Sequence, residues 1–168
     1  LSRIYSPDLR ERLIMTPAQL STLKAAALAD QDAAAYISNG QDSQLADWFN
    51  EQTTHIVWRS ALTPELARAA IIVGAAQLDA LTVGKRDSLL WLCSGDLDVS
   101  NAGVRASIDD LCGTQNTLKT SLQSAQKRTA NRAEQSLASG TGTSLSPAVL
   151  GWEGFVSGND ASDIRSAP

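Results

Sequence analysis

The sequence feature that most constrains this chain is a helix-start signal, which occurs at Thr16-Pro17 and again at Thr63-Pro64. Threonine at the N-cap accepts a hydrogen bond from an unpaired backbone N–H, and proline at the first helical position has no N–H to leave unpaired. Gln19 is placed to complete a capping box after Thr16. Apolar residues, mostly alanine and leucine, follow at helical spacing. The pattern predicts a helix from each start and an all-α fold.

The length and composition indicate how the helices are organised. At 168 residues the chain has room for one ordinary domain. Only 5% of the residues are aromatic, which favours a thin core between closely packed helices over a β-sandwich. We expect a helical bundle over residues 16–139, preceded by an N-terminal extension over residues 1–15. A linker and a C-terminal docking arm are expected over residues 140–168.

Three further segments concern the lengths of the helices and a candidate strand. The helix from Pro64 is expected to run to about Val83, and the longest late helix to run from about Asn116 to Ser139. Residues 54–60, THIVWRS, are locally β-branched, as is typical of a strand. No second run of this kind occurs to pair with them, so we expect a helical or irregular conformation there.

The residues that usually carry catalysis are sparse. His55 is the only histidine, which excludes a site with several histidine ligands. Cys93 and Cys112 lie in apolar helical contexts and are expected to be free, buried thiols. A Cys–His pair stays open as an alternative, since the sequence does not give their separation.

Two segments approach ligand-binding motifs without matching them. Gly84-Lys85 is followed by Arg86, where a phosphate-binding loop has serine or threonine. The acidic stretch that starts at Asp96 has Asn101 and Ser107 where a calcium-binding loop has glycine and glutamate. We therefore expect no enzyme activity, no cofactor and no bound metal.

The formal net charge of -4 argues against a protein that mainly coats nucleic acid. Four basic residues nevertheless lie on the predicted late helix, at Lys119, Lys127, Arg128 and Arg132. A helical wheel spreads them around the circumference instead of gathering them on one face. An ordinary solvated face is favoured, while a nucleic-acid surface and contact with an acidic protein partner remain alternatives.

The C-terminal segment LGWEGFV carries two of the few large aromatic residues, Trp152 and Phe155, in a region rich in glycine and serine. Such rings need an apolar environment, either on their own chain or on another protein. We predict docking on another protein through Trp152 and Phe155, with Val149, Leu150 and Val156 beside them. An arm that folds back onto its own chain is the alternative.

Three stretches resemble small virion-assembly proteins of tailed bacteriophages, over residues 15–157: TPAQLSTLKAAALAD, DWFNEQTTHIVWRSALTPEL and the late helix with the segment that follows it. Head-to-tail adaptors in this group are typically small helical bundles that form a ring beneath the portal and extend a C-terminal segment onto it. The resemblance implies a structural connector at the neck of the virion, assembled in the host cytoplasm.

The same resemblance implies its partners. They are further copies of the chain in a homo-oligomeric ring, the portal protein and the next neck or tail protein, with no membrane. Trp152 and Phe155 would anchor the arm, and the four basic residues would face acidic portal surface or the exiting DNA. A helical DNA-binding or DNA-packaging accessory protein is the alternative.

Overall fold

The computed structural model describes residues 14–168, which form ten α-helices and two short strands. In chain order these are α1 (Pro17–Leu28), α2 (Gln31–Asn39), α3 (Asp42–Asn50), β1 (Gln52–Trp58), α4 (Pro64–Val73), α5 (Ala75–Asp79), α6 (Val83–Leu92), α7 (Ala102–Cys112), α8 (Asn116–Ala125), β2 (Lys127–Asn131), α9 (Arg132–Leu137) and α10 (Gly158–Ser166). The expected helical class is thus confirmed as a mostly helical chain with a small two-stranded sheet. Most of the predicted N-terminal extension, residues 1–13, lies outside the described residues.

Both predicted helix starts are confirmed. The Thr16 hydroxyl accepts from the Gln19 backbone N–H at 3.3 Å, and the Gln19 side chain accepts from the Thr16 N–H at 2.8 Å, which completes the capping box of α1. Thr63 caps α4 by accepting from the Leu66 N–H at 3.5 Å. These local contacts involve residues only three apart, which explains why the sequence predicted them.

The chain divides into two compact units. The terminal unit comprises the described residues up to Thr53 together with Asn131–Ala138 and Gly151–Pro168. The central unit comprises Thr54–Ala130 and Ser139–Leu150. Each unit has its own hydrophobic core, whereas the sequence predicted one bundle over residues 16–139.

The terminal unit packs α10 against α3 and α1, and α9 against the same two helices. Its core contains Phe49 and Leu23, both fully buried, together with residues from the C-terminal segment. Met15, the last residue of the predicted extension over residues 1–15, is also buried in this core. The apolar methionine side chain is stabilised by removal from water, which fixes the segment that leads into α1.

The C-terminal segment is not the unstructured arm that its composition predicted. Residues 158–166 form α10, which begins with a capping box between Ser157 and Asp160. Ala161 and Ile164 bury the inner side of this helix in the core of the terminal unit. Arg165 pairs with Asp42 on α3 through bonds of 2.8 and 3.2 Å. Tertiary packing therefore overrides the weak helix propensity of glycine and serine.

In the central unit, α4 packs against α8 around a core of leucine, isoleucine, valine and cysteine side chains. The predicted continuous helix from Pro64 to about Val83 is wrong, because α4 ends at Val73 and α6 begins at Val83. Gly74 lies where the backbone of α8 approaches most closely. A Cβ on Gly74 would be 2.6 Å from the Leu118 Cα, so only glycine fits this position.

The predicted helix over residues 116–139 is also wrong, because β2 interrupts it between α8 and α9. β2 pairs with β1, which includes residues 54–58 of THIVWRS, so the expected helical or irregular conformation is wrong there. Ile56 on β1 also accepts from the Ala148 N–H at 2.9 Å and donates to the Gly142 carbonyl at 2.8 Å. The partner strand KRTAN lacks the β-branched and aromatic content that marks a strand, so the sequence did not indicate it.

Candidate docking site

Two of the predicted anchors, Trp152 and Val156, lie in the core of the terminal unit. Trp152 is only 6% exposed, and Val156 is 3% exposed. The Gln19 side chain of α1 donates to the Gly151 carbonyl at 3.0 Å, which attaches the segment to the rest of the unit. The prediction that these two side chains dock on another protein is therefore wrong, since their apolar environment is their own chain.

Phe155 has the opposite environment, with 71% of its surface exposed. The peptide groups next to it are held by buried side chains of α9 and its cap. The Gly154 N–H donates to Glu134 at 3.2 Å, and the Gly154 carbonyl accepts from the Asn131 amide at 2.8 Å. Because Glu134 and Asn131 are themselves almost fully buried, the backbone before Phe155 is fixed.

Asn50, at the end of α3, holds the backbone on the other side of Phe155. Its side chain accepts from the Val156 N–H at 2.9 Å and donates to the Val156 carbonyl at 2.8 Å. Both backbone groups of Gly154 and both of Val156 are thus paired with side chains of the terminal unit. Phe155 is held by the residues on either side of it, and its ring points away from the core they anchor.

Gly154 has a φ of 148°, a conformation that residues with a Cβ rarely adopt. A Cβ there would be 3.3 Å from the Trp152 ring. Trp152 and Val156 therefore lie in the core, while Phe155, between Gly154 and Val156, faces outward. We call residues 152–156 the Phe155 segment.

The other two predicted anchors belong to the central unit. Val149 is half-exposed and exchanges two backbone hydrogen bonds with Ser139, of 2.8 and 2.9 Å. Leu150 is half-buried and follows it directly. The predicted group of five apolar anchors is therefore divided, and Phe155 is the one with a large exposed ring on a fixed backbone.

The four predicted electrostatic contacts do not share one helix. Lys119 is on α8, Lys127 and Arg128 are on β2, and Arg132 is on α9. The helical wheel used to place them does not apply, because β2 separates the two helices. Lys119 forms an ion pair of 3.1 Å with Asp109. The four cationic residues therefore do not form one basic face on a late helix.

Lys127 and Arg105 both contact the Trp58 ring. The Arg105 guanidinium carbon is 4.1 Å from the ring centroid, and the Lys127 Nζ is 5.3 Å from it. Lys127 also donates to the Ser144 carbonyl at 2.9 Å. Burial lowers the pKa of the Arg105 guanidinium, and the negative charge of Asp98 opposes that shift. The cluster joins β1, β2 and α7 inside the central unit.

An exposed apolar face on α6 was not predicted. Trp91 is 78% exposed, and Val83 and Leu90 on the same side of the helix are also exposed, whereas Leu89 is fully buried. At 100° per residue the three exposed side chains lie within one sector of the helix, which also contains the exposed carboxylate of Asp87. The run LLWL is apolar on all sides, so the sequence did not distinguish the buried face from the exposed one.

Both cysteines are free and buried, as predicted. Burial raises the pKa of the Cys93 thiol to about 11, with a smaller contribution from Cys112. The pKa of Cys112 is also raised, mainly by burial and then by the charge of Asp109. A thiol with a raised pKa has little nucleophilic thiolate near neutral pH. Neither cysteine therefore has the environment of an activated nucleophile.

Within residues 14–168, no group of three or more His, Cys, Asp and Glu side chains is arranged to hold a metal ion. No helix in this described part of the chain combines the length and the apolar content needed to cross a bilayer. Comparison with protein-family models, with curated proteins and with solved structures finds no significant match to this chain.

Proposed function

We propose that this chain is a structural assembly protein, a head-to-tail connector of a tailed bacteriophage that forms a homo-oligomeric ring at the neck of the virion. Its docking element is the Phe155 segment, and its partner is the portal protein or a neighbouring subunit. The observation that carries the proposal is a phenylalanine that is 71% exposed on a backbone held by buried side chains.

A fixed, exposed aromatic ring is suited to binding for two reasons. It offers a large apolar area to a partner pocket, and aromatic residues dominate the energetics of many interfaces. Association also costs less entropy when the contacting segment is already ordered. The hydrogen bonds of Asn50, Asn131 and Glu134 order this segment before any partner arrives.

A closed ring of identical subunits needs two different contact surfaces on each copy, because each subunit meets its neighbours head to tail. The chain carries a second exposed apolar surface on α6, at Val83, Leu90 and Trp91. The Phe155 segment belongs to the terminal unit and the α6 face to the central unit. We assign one of these surfaces to the ring contact and the other to the portal or the next neck or tail protein.

The test is the substitution Phe155→Ala, with Leu145→Ala as the matched control. Leu145 is 96% exposed and lies outside the Phe155 segment. Phe155→Ala should prevent the chain from joining native particles, while Leu145→Ala should not. Imaging of native particles should place the chain as a ring between head and tail. The proposal is wrong if particles that contain the Phe155→Ala chain assemble normally, or if the chain is absent from the neck.

The alternative function, a DNA-binding or DNA-packaging accessory protein, is favoured by one observation. The cationic groups of Arg105 and Lys127 lie over the Trp58 ring. Proteins that bind single-stranded nucleic acid use similar combinations of cations and aromatic rings. Binding of this kind weakens steeply as salt is added. DNA affinity that falls with salt and that Lys127→Ala reduces would favour the alternative over the connector.

A further inference from the structure

The apolar face of α6 contains one carboxylate, which restricts the partners that can cover it. Asp87 lies in the same sector of the helix as Val83, Leu90 and Trp91. The Asp87 side chain is 64% exposed, and its ion pair with the neighbouring Arg86 is long, at 3.7 Å. A carboxylate enclosed by apolar groups is costly unless a cation pairs with it. A partner that covers this face must therefore place a cation near Asp87.

A second exposed apolar face of the central unit lies on α4 and carries such a cation. Ile72 is 68% exposed and Val73 is 67% exposed. Arg68 and Ala69, one turn earlier, are also exposed. At 100° per residue these four side chains lie within about 140° of the helix circumference, and the buried residues of α4 lie on the opposite side. We call Arg68, Ala69, Ile72 and Val73 the α4 face.

The charge of Arg68 is available to a partner. Among residues 14–168, no carboxylate lies within ion-pair distance of Arg68. Glu65, the acidic residue of α4, is directed to the helix cap. Hydrogen bonds from its own backbone N–H and from the Thr63 side chain hold the pKa of the Glu65 carboxyl below its usual range, ahead of the smaller effect of the Arg68 charge.

An open groove with a volume of about 460 Å³ borders the α4 face. Val73 forms one side of it. The other side consists of uncharged residues of α8: Asn116, Thr117, Thr120, Ser121 and Ser124. Cavities of this volume hold ligands larger than an indole. The indole of Trp91 is the largest side chain on the α6 face and is 78% exposed, so the groove has room for this ring from a neighbouring copy.

We propose that the α6 face of one copy of this chain binds the α4 face of the next copy, with Trp91 in the groove beside Val73 and with Asp87 paired with Arg68. The two faces are different, so each copy binds one neighbour through α6 and another through α4. This is the head-to-tail contact that a ring requires. A contact of α6 with α6 would instead bring two Asp87 carboxylates together, which is unfavourable.

The inference rests on the proposed connector ring, because it names the contact between the subunits of that ring. It assigns the α6 face to the ring and leaves the Phe155 segment to the portal or to the next neck or tail protein.

Sedimentation velocity of the full chain measures the contact. The wild type should associate with rising concentration into species larger than a dimer. Trp91→Asp on the α6 face and Ile72→Asp on the α4 face should each weaken association at least about 30-fold, the loss typical of a central interface residue. Leu145→Asp adds the same charge at a 96% exposed position of the same unit, outside both faces, and should leave association unchanged.

A mixture of the two variants identifies which faces meet. The Ile72→Asp chain keeps an intact α6 face, and the Trp91→Asp chain keeps an intact α4 face. Each variant alone should stay monomeric, while the mixture should form a dimer and nothing larger. Exchange of the paired charges tests the polar part of the contact: Asp87→Arg and Arg68→Asp should each weaken association, and the two together in one chain should restore it.

The proposal is overturned if the wild type stays monomeric at millimolar concentration or if the mixed variants do not form a dimer. It is also overturned if Trp91→Asp prevents association while Ile72→Asp does not, since that result would indicate a contact of α6 with α6. Failure of the exchanged charges to restore association would refute the pairing of Asp87 with Arg68.

This contact and the proposed connector function can fail separately. Phe155 belongs to neither face, so Phe155→Ala should leave self-association in solution unchanged while it prevents the chain from joining particles. Self-association as predicted, in a chain that is absent from the neck of the virion, would contradict the connector function and leave this contact standing.

Discussion

Replacing Trp152 with alanine should destabilise the protein strongly. The same substitution in a docking arm detached from the core would leave the free energy of unfolding nearly unchanged. Trp152 is 6% exposed in the core of the terminal unit, so the substitution leaves a large cavity. A buried tryptophan covers about 150–250 Å² of surface, and truncation of such a residue to alanine costs about 3–5 kcal/mol. Since a whole domain is stable by only about 5–15 kcal/mol, the loss is a large fraction of the total.

Urea unfolding followed by circular dichroism measures this loss, with Phe155→Ala as the control. Phe155 lies three residues away but is 71% exposed, so its truncation should change the free energy of unfolding by less than about 0.5 kcal/mol. The difference between the two variants is therefore about 3 kcal/mol or more. Equal midpoints for wild type and Trp152→Ala, or equal losses in the two variants, would refute the assignment of Trp152 to the core.

Three further predictions concern other parts of the chain. Cys93, with a pKa raised to about 11 by burial, should react with a thiol reagent at pH 8 only slowly in the native state and rapidly in urea; fast native labelling would contradict its burial. Hydrogen bonds from Arg165 lower the pKa of the Asp42 carboxyl in the folded chain. The stability that this pair contributes is therefore present above pH 3.8, the ordinary pKa, and is lost as the pH falls through the lowered pKa. In acid-unfolding curves, Arg165→Met should therefore lose less stability than the wild type as the pH falls below 3.8. An unchanged curve would show that the Arg165–Asp42 pair does not contribute to acid unfolding. Deletion of residues 151–168 removes Trp152 and the buried face of α10 from the terminal core, so circular dichroism should show loss of helix beyond those residues; an otherwise intact spectrum would support a detachable arm.

The part of the fold that could be predicted is the part set by near neighbours. The starts of α1 and α4 depend on contacts within three residues, and both were predicted correctly. α4 ends at Gly74, and the Leu118 backbone of α8 occupies the place that a Cβ at this position would need. The pairing of β1 with β2 joins segments about 70 residues apart, and β2 has no strand signature of its own. Long-range packing decided both features.

One local signal for the break before α9 was present in the sequence. Asn131 and Glu134 form a capping box, in which the Glu134 N–H donates to the Asn131 side chain at 2.8 Å and Glu134 accepts from the Asn131 N–H at 3.1 Å. An Asn-x-x-Glu pattern inside a predicted long helix is the sequence pattern of a new helix start. The same two side chains also hold the Gly154 backbone, which the pattern could not indicate.

The contrast between Trp152 and Phe155 follows from the direction of the backbone in the Phe155 segment. Val156 is buried and both of its backbone groups are paired with Asn50, whereas Phe155, directly before it, is exposed. Gly154 lets the Trp152 ring lie against the backbone without a Cβ in the way. The free energy gained by burying Trp152 and Val156 thus fixes the backbone that carries Phe155. Composition treats the two aromatic residues alike, whereas the packing of the segment makes Trp152 a core residue and leaves the Phe155 ring exposed.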